Sequence, residues 1–108
     1  MQARFIHDGN AIDFFPETDV SAGSVIAFDK LVGIAKLDIP AGHVGALAVV
    51  GIYDIQKGNV AIPLGSRIYW DAAAKQAVLD AANNTPLGIA VLEAKPEDAT
   101  VRARINHA

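Results

Sequence analysis

The sequence predicts a mostly β protein: a single compact domain over residues 1–108, β-barrel or β-sandwich-like, built of hairpins, with at most a short helix around residues 72–82. Three observations carry that expectation. Glycine and proline cut the chain into short runs rich in Val, Ile, Phe and Tyr, the composition that strands favour. Similar turn phrases precede several of these runs, and two longer phrases repeat in the same order further along the chain.

The runs fall at residues 3–6, 12–15, 25–28, 31–35, 46–53, 67–70, 87–93 and 100–105. The first admits two readings. Phe5 and Ile6 can belong to an initial strand of the domain, or residues 1–8 can extend as an arm, since chain ends are free to do so. Later runs are approached through Val20-Ser21-Ala22-Gly23, Ile39-Pro40-Ala41-Gly42 and Ile62-Pro63-Leu64-Gly65. Proline in second place presets φ near about −65° and glycine in fourth place accepts positive φ, so these phrases predict type I turns feeding strands. The last run alternates, with Val101, Ala103 and Ile105 on one face and Arg102 and Arg104 on the other.

The repeat is the most informative feature. GSVIAFD at residues 23–29 is echoed by GSRIYWD at 65–71, and GIAKLD at 33–38 by GIAVLE at 88–93. Between the paired phrases lie three residues in the first copy and a longer excursion in the second, which implies two related hairpin modules. Alternation then places Ile68 and Trp70 on one face, as the counterparts of Ile26 and Phe28, and makes both aromatics core. Tyr69, whose counterpart is Ala27, lies on the opposite face with Arg67 and Asp71, open to solvent or to another subunit.

Residues 71–84, DAAAKQAVLDAANN, leave two structures open. Asp71 is an N-cap candidate ahead of good helix formers, but about three turns of isolated helix are marginal without an apolar face. The alternative is a hairpin in which Asp71 opens an Asx-type turn and residues 76–79 return as a strand.

Composition narrows the function classes. No cysteine is present, which excludes disulfides, thiolate metal sites and thiol nucleophiles. A net charge of −3 argues against binding nucleic acid, and the opening residues contain no apolar run of the length a signal peptide or membrane span requires. Apolar residues make up 52% of the chain, more than a small domain can hide, so other subunits or a partner are expected to cover part of them.

Residues that could carry chemistry do not assemble into a site. Asp29 and Asp71 are related by the repeat, as the aspartates of an acid protease are, but neither stands in an Asp-Ser-Gly or Asp-Thr-Gly phrase, and both read as turn openers. His7, His43 and His107 are widely spaced and have no carboxylate at ligand spacing, so no metal is expected. No glycine-rich phosphate loop and no serine nucleophile elbow is present. No catalytic residue and no cofactor are predicted.

Taken together, FIHDGNAIDF, DVSAGSVIAF, LVGIA, AVVGIYDIQK, GSRIYWDAAAKQAV and NNTPLGIAV resemble, in that order and from about Phe5 to Ile105, the small phage capsid cement or head decoration proteins. The combination of GIYDIQK, GSRIYWD and PLGIAV is the specific part. The resemblance implies a β protein made in the bacterial host cytoplasm and carried on the virion capsid surface. There, commonly as a homotrimer, it would bridge neighbouring major capsid protein subunits and stabilise the shell. It favours the hairpin after Trp70 and brings no catalytic residues. Some relatives have been labelled RecA-like recombinases, a function for which this chain lacks the nucleotide-binding loop. Arg4, Phe5, Ile6 and His7 become the expected capsid contacts and Tyr69 the expected subunit contact, with no nucleic acid or membrane as partner. Two other functions remain to be weighed: a virion-displayed module for a host surface ligand, using Tyr69 and the arginine face, and, more remotely, a symmetric acid-protease-like enzyme.

Overall fold

The computed structural model describes residues 1–107 and is all β among them. Its strands are β1 (Ala11–Phe14), β2 (Val25–Ala27), β3 (Val32–Ala35), β4 (Gly45–Ala48), β5 (Ile52–Gln56), β6 (Arg67–Asp71), β7 (Gln76–Val78), β8 (Thr85–Ala90) and β9 (Thr100–Ile105). They form two antiparallel sheets, ordered β1-β4-β3-β2 and β5-β9-β8-β6-β7. The arrangement is sandwich-like, and the barrel alternative is not realised. The outer strands of the second sheet meet only at a parallel bridge between Lys57 and Ala77.

Alternation decides what each sheet buries. From the second sheet, Ile55, Ile68, Trp70, Leu87, Val101, Ala103 and Ile105 point inward to meet Val32 and Ile34 of the first, forming the main core. Val25 and Ala27 pack against the same core. The other face of the first sheet holds a smaller core of Ala35, Ile39 and Leu47, covered by Phe14, Val20, Ile26 and Phe28. There Phe14 and Phe28 meet edge to face, with ring centroids 5.9 Å apart, the geometry that aromatic quadrupoles prefer.

The repeat seen in the sequence is a repeat of hydrogen bonds. Val20 and Ile39 exchange both backbone bonds, as do Ile62 and Ala94; Gly23 N–H donates to Ala35 as Gly65 N–H does to Ala90; Ala35 N–H donates to Ser24 as Ala90 N–H does to Ser66. Even the register agrees, with Ile26 opposite Gly33 and Ile68 opposite Gly88. The recurrent glycine has a steric cause. A Cβ on Gly33 would lie 2.8 Å from Cβ of Leu47, and one on Gly88 would fall on the carbonyl oxygen of Arg104.

Three local expectations are corrected. Residues 3–6 form no strand, because Phe5 and Ile6 are adjacent and neither face has a sheet to pack on. The run 46–53 breaks into β4 and β5 at Gly51, whose φ of 121° turns the chain from one sheet into the other. The type I turns are shifted by one residue: Ser24, His43 and Ser66 donate back to Ser21, Pro40 and Pro63. Glycine therefore takes third place, at φ 87°, 78° and 85°, the type II arrangement. The shift arises because Val20, Ile39 and Ile62 are still engaged in bridges when each turn begins.

Of the two structures open to residues 72–82, the chain takes the hairpin that the resemblance favours and contains no helix there. Asp71 Oδ1 accepts from the N–H groups of Ala73 and Ala74 at 3.0 and 3.1 Å. Lys75, at φ 56°, completes the loop into β7. Pairing of Ala77 with Trp70 across β6 and β7 buries Ala77 in the main core, a gain that an exposed helical turn could not match.

Candidate functional site

Residues 1–9 lie outside both sheets. Phe5 and Ile6 are 79% and 72% exposed. The segment folds back only where His7 Nδ1 accepts from Gly9 N–H at 2.9 Å, with Gly9 at φ 80° turning the chain toward β1. Arg4, Phe5, Ile6 and His7 are all exposed and so stand together as a short basic and apolar segment.

Tyr69 is elsewhere, on the outward face of the five-stranded sheet. Strand register sets its neighbours: it is opposite Val78 on β7 and Pro86 on β8. A row beside it runs Ile52, Arg104, Ile89, Arg67 across β5, β9, β8 and β6. Arg102 lies on the same face, opposite Asp54. Its Nε and Nη2 donate to the two Asp54 carboxylate oxygens at 2.9 and 3.2 Å. Those hydrogen bonds hold the Asp54 carboxyl below its ordinary range and raise the Arg102 guanidinium. Among the described residues Arg67 and Arg104 have no carboxylate partner. Arginine and tyrosine side by side on a sheet face are residue types that protein interfaces select.

The acid pair does not form a site. Asp29 is an exposed turn residue beside β2, while Asp71 is committed to capping the β6–β7 turn in the other sheet. Among the described residues no group of three His, Cys, Asp or Glu side chains could hold a metal. An opening of ≈ 590 Å³ lies between β2 and β5 and is lined mainly by apolar groups including Val25, Ile34, Tyr53 and Trp70.

Two polar side chains that hold the site's scaffold escaped the sequence reading. Lys57 is 6% exposed; its Nζ donates to the carbonyls of Gly58 and Val60 at 3.0 and 2.8 Å. Asn106 takes both backbone groups of Val32, accepting its N–H at 2.9 Å and donating to its carbonyl at 2.7 Å, and also reaches the Val49 carbonyl at 2.8 Å.

A family model described as phage cement protein matches residues 6–105. The chain belongs to the phage cement protein family. No curated protein and no solved structure matches it. Membership gives the chain a structural role associated with the capsid, a place on the virion and capsid proteins as its associates. As a phage cement protein, it carries Tyr69 and the arginine face inside the matched region, together with Ile6 and His7, whereas Arg4 and Phe5 precede it.

Proposed function

We propose that this cement protein stabilises the shell from outside by bridging neighbouring major capsid protein subunits, acting as a homotrimer with no catalytic activity. The observation that carries this reading is the family match across residues 6–105. The exposed apolar residues supply the physical means. Arg4, Phe5, Ile6 and His7 form the capsid contact: burying the two large apolar side chains beside the Arg4 cation is worth about 1.5–3 kcal/mol for each apolar group. Tyr69 lies at a contact between subunits. Each contact is modest, but repetition across a lattice multiplies them into firm attachment.

Expanded heads lacking the protein, prepared from the phage or prophage that encodes it, are the test. The purified protein is expected to co-sediment with expanded heads and not with compact precursors. Phe5→Asp combined with Ile6→Asp is expected to weaken that binding at least tenfold. Wild-type protein that stays in the supernatant with expanded heads overturns the reading.

A further inference from the structure

The two modules differ in what lies over one face. In the first, Val25 and Ala27 are covered by the main core. In the second, the equivalent positions are Arg67, which is exposed, and Tyr69, which is half-buried beside an opening also lined by Lys30, Leu31 and His107. The same face of the same module is thus packed once and left open once. Three of the four arginines in the chain, Arg67, Arg102 and Arg104, lie on that face together with Asp54 and Asp71; Arg102 is paired with Asp54, so Arg67 and Arg104 are the cations left without a carboxylate partner among the described residues. Ile52 stands in the row with Arg104 and is 58% exposed.

A surface of opposite character lies elsewhere on the molecule. Residues 15–20 and 37–44 are tied together by the Val20–Ile39 bridge, by Gly42 N–H donating to Pro16, and by Ala41 N–H donating to Asp19 Oδ1 at 2.8 Å. These two segments contain Glu17, Asp19 and Asp38, whose Oδ1 accepts from Ala22 N–H, against one neighbouring cation, Lys36, directly before the second segment. Phe15, Leu37 and Val44 in them are exposed. One end of the protein is therefore acidic and apolar, and the outward face of the other sheet is basic and apolar.

We infer that the Arg67–Tyr69–Arg104 face binds the acidic end of a second copy, residues 15–20 and 37–44, head to tail. The inference rests on the self-association proposed above only in taking another copy as the occupant; the two surfaces follow from charge and exposure. Joining unlike surfaces makes a heterologous contact, which propagates until a ring closes. Arg67 and Arg104 supply fixed cations for Glu17 and Asp38, while Tyr69 and Ile52 meet Phe15 and Leu37. Because the contact pairs charges near solvent, salt weakens it.

Light scattering on the purified full chain tests this. Wild-type protein is expected at a multiple of its 11.3 kDa monomer mass, falling toward the monomer in 1 M salt, roughly where screening shortens to 3 Å. Arg67→Glu with Arg104→Glu, and separately Glu17→Lys with Asp38→Lys, are each expected to weaken association at least tenfold. An equimolar mixture of the two double variants is expected to associate again, since each new charge then meets its opposite. Folding of each is checked by its thermal transition. Wild-type protein that is monomeric at every concentration, variants that associate like wild type, or a mixture that stays monomeric each overturns the inference. A protein monomeric at every concentration would also remove the homotrimer from the proposed function, but none of these outcomes bears on whether wild-type protein sediments with heads, so the capsid-binding reading fails or stands separately.

Discussion

Residues 20–39 and 62–94 make equivalent backbone hydrogen bonds and share a register, yet they occupy different layers. In the first copy Ile26 and Phe28 cover the smaller core, and the reverse face meets the second sheet. In the second copy Ile68 and Trp70 are central to the main core, with Trp70 only 7% exposed, and the reverse face looks outward. Hydrogen bonding fixes a module's shape, while side-chain pattern decides which of its faces is sealed. A duplicated unit can thus supply a structural layer in one copy and a contact surface in the other.

The comparison is broken most severely at the glycines. Gly88→Ala drives a Cβ into the rigid Arg104 backbone, so β8 and β9 must part. A loss of more than about 3 kcal/mol is expected, a large share of the roughly 5–15 kcal/mol that holds a domain together. Gly33→Ala instead meets the Leu47 side chain, and overpacking there is expected to cost about 1–3 kcal/mol. Urea unfolding of both variants measures the difference; equal losses would mean that the backbone contact at Gly88 yields as easily as a side chain.

The aromatics sharpen it next. Trp70→Ala is expected to destabilise by about 3–5 kcal/mol, and half-buried Phe28→Ala by about 1–2 kcal/mol. Thermal unfolding of the pair ranks the two cores directly, and a larger loss at Phe28 would reverse the assignment of main and minor core.

Smaller effects come from the excursion that only the second copy has. Lys75 holds φ 56° without being glycine, a conformation that costs a side chain roughly 1–2 kcal/mol. Lys75→Gly is expected to raise stability by up to about 1 kcal/mol in urea titration, the remainder being offset by the freedom glycine gains when unfolded. The smallest effect is at Asp54, which is exposed. Its carboxyl is lowered by Arg102, so its contribution is present above the ordinary carboxylate range and disappears as pH falls through the lowered value. The midpoint of unfolding in acid is expected to be slightly less pH-dependent in Asp54→Asn than in wild type.

Much of this was legible in the sequence because it depends on local pattern. The repeated phrases, the inward Ile68 and Trp70, and the alternation of β9 follow from period two and from glycine at fixed offsets. The turns were placed one residue early because proline marks their neighbourhood, while bridges at Val20, Ile39 and Ile62 decide where they start. The sheet change at Gly51 was hidden because AVVGIY reads as one apolar run. The loop after Asp71 could not be settled locally, since burial of Ala77 against distant strands outweighs helix propensity. Lys57 and Asn106 gave no signal at all. Each satisfies backbone groups whose need is created only by the fold, and nothing in the residue type marks that use. The arginine face was legible as alternation, but its pairing with an acidic end required knowing that residues 15–20 and 37–44 lie together.

Asn106 also orders events in time. It closes both backbone groups of Val32 across 74 positions of sequence, and its own N–H donates to the Leu87 carbonyl. During synthesis the hairpin of β2 and β3 therefore emerges early with one strand still offering open bonds to water. It can be locked against the second sheet only after residue 106 has left the ribosome. Until then the Val32 amide and carbonyl keep water as their partner, and the bonds that Asn106 supplies fasten the first module to the second.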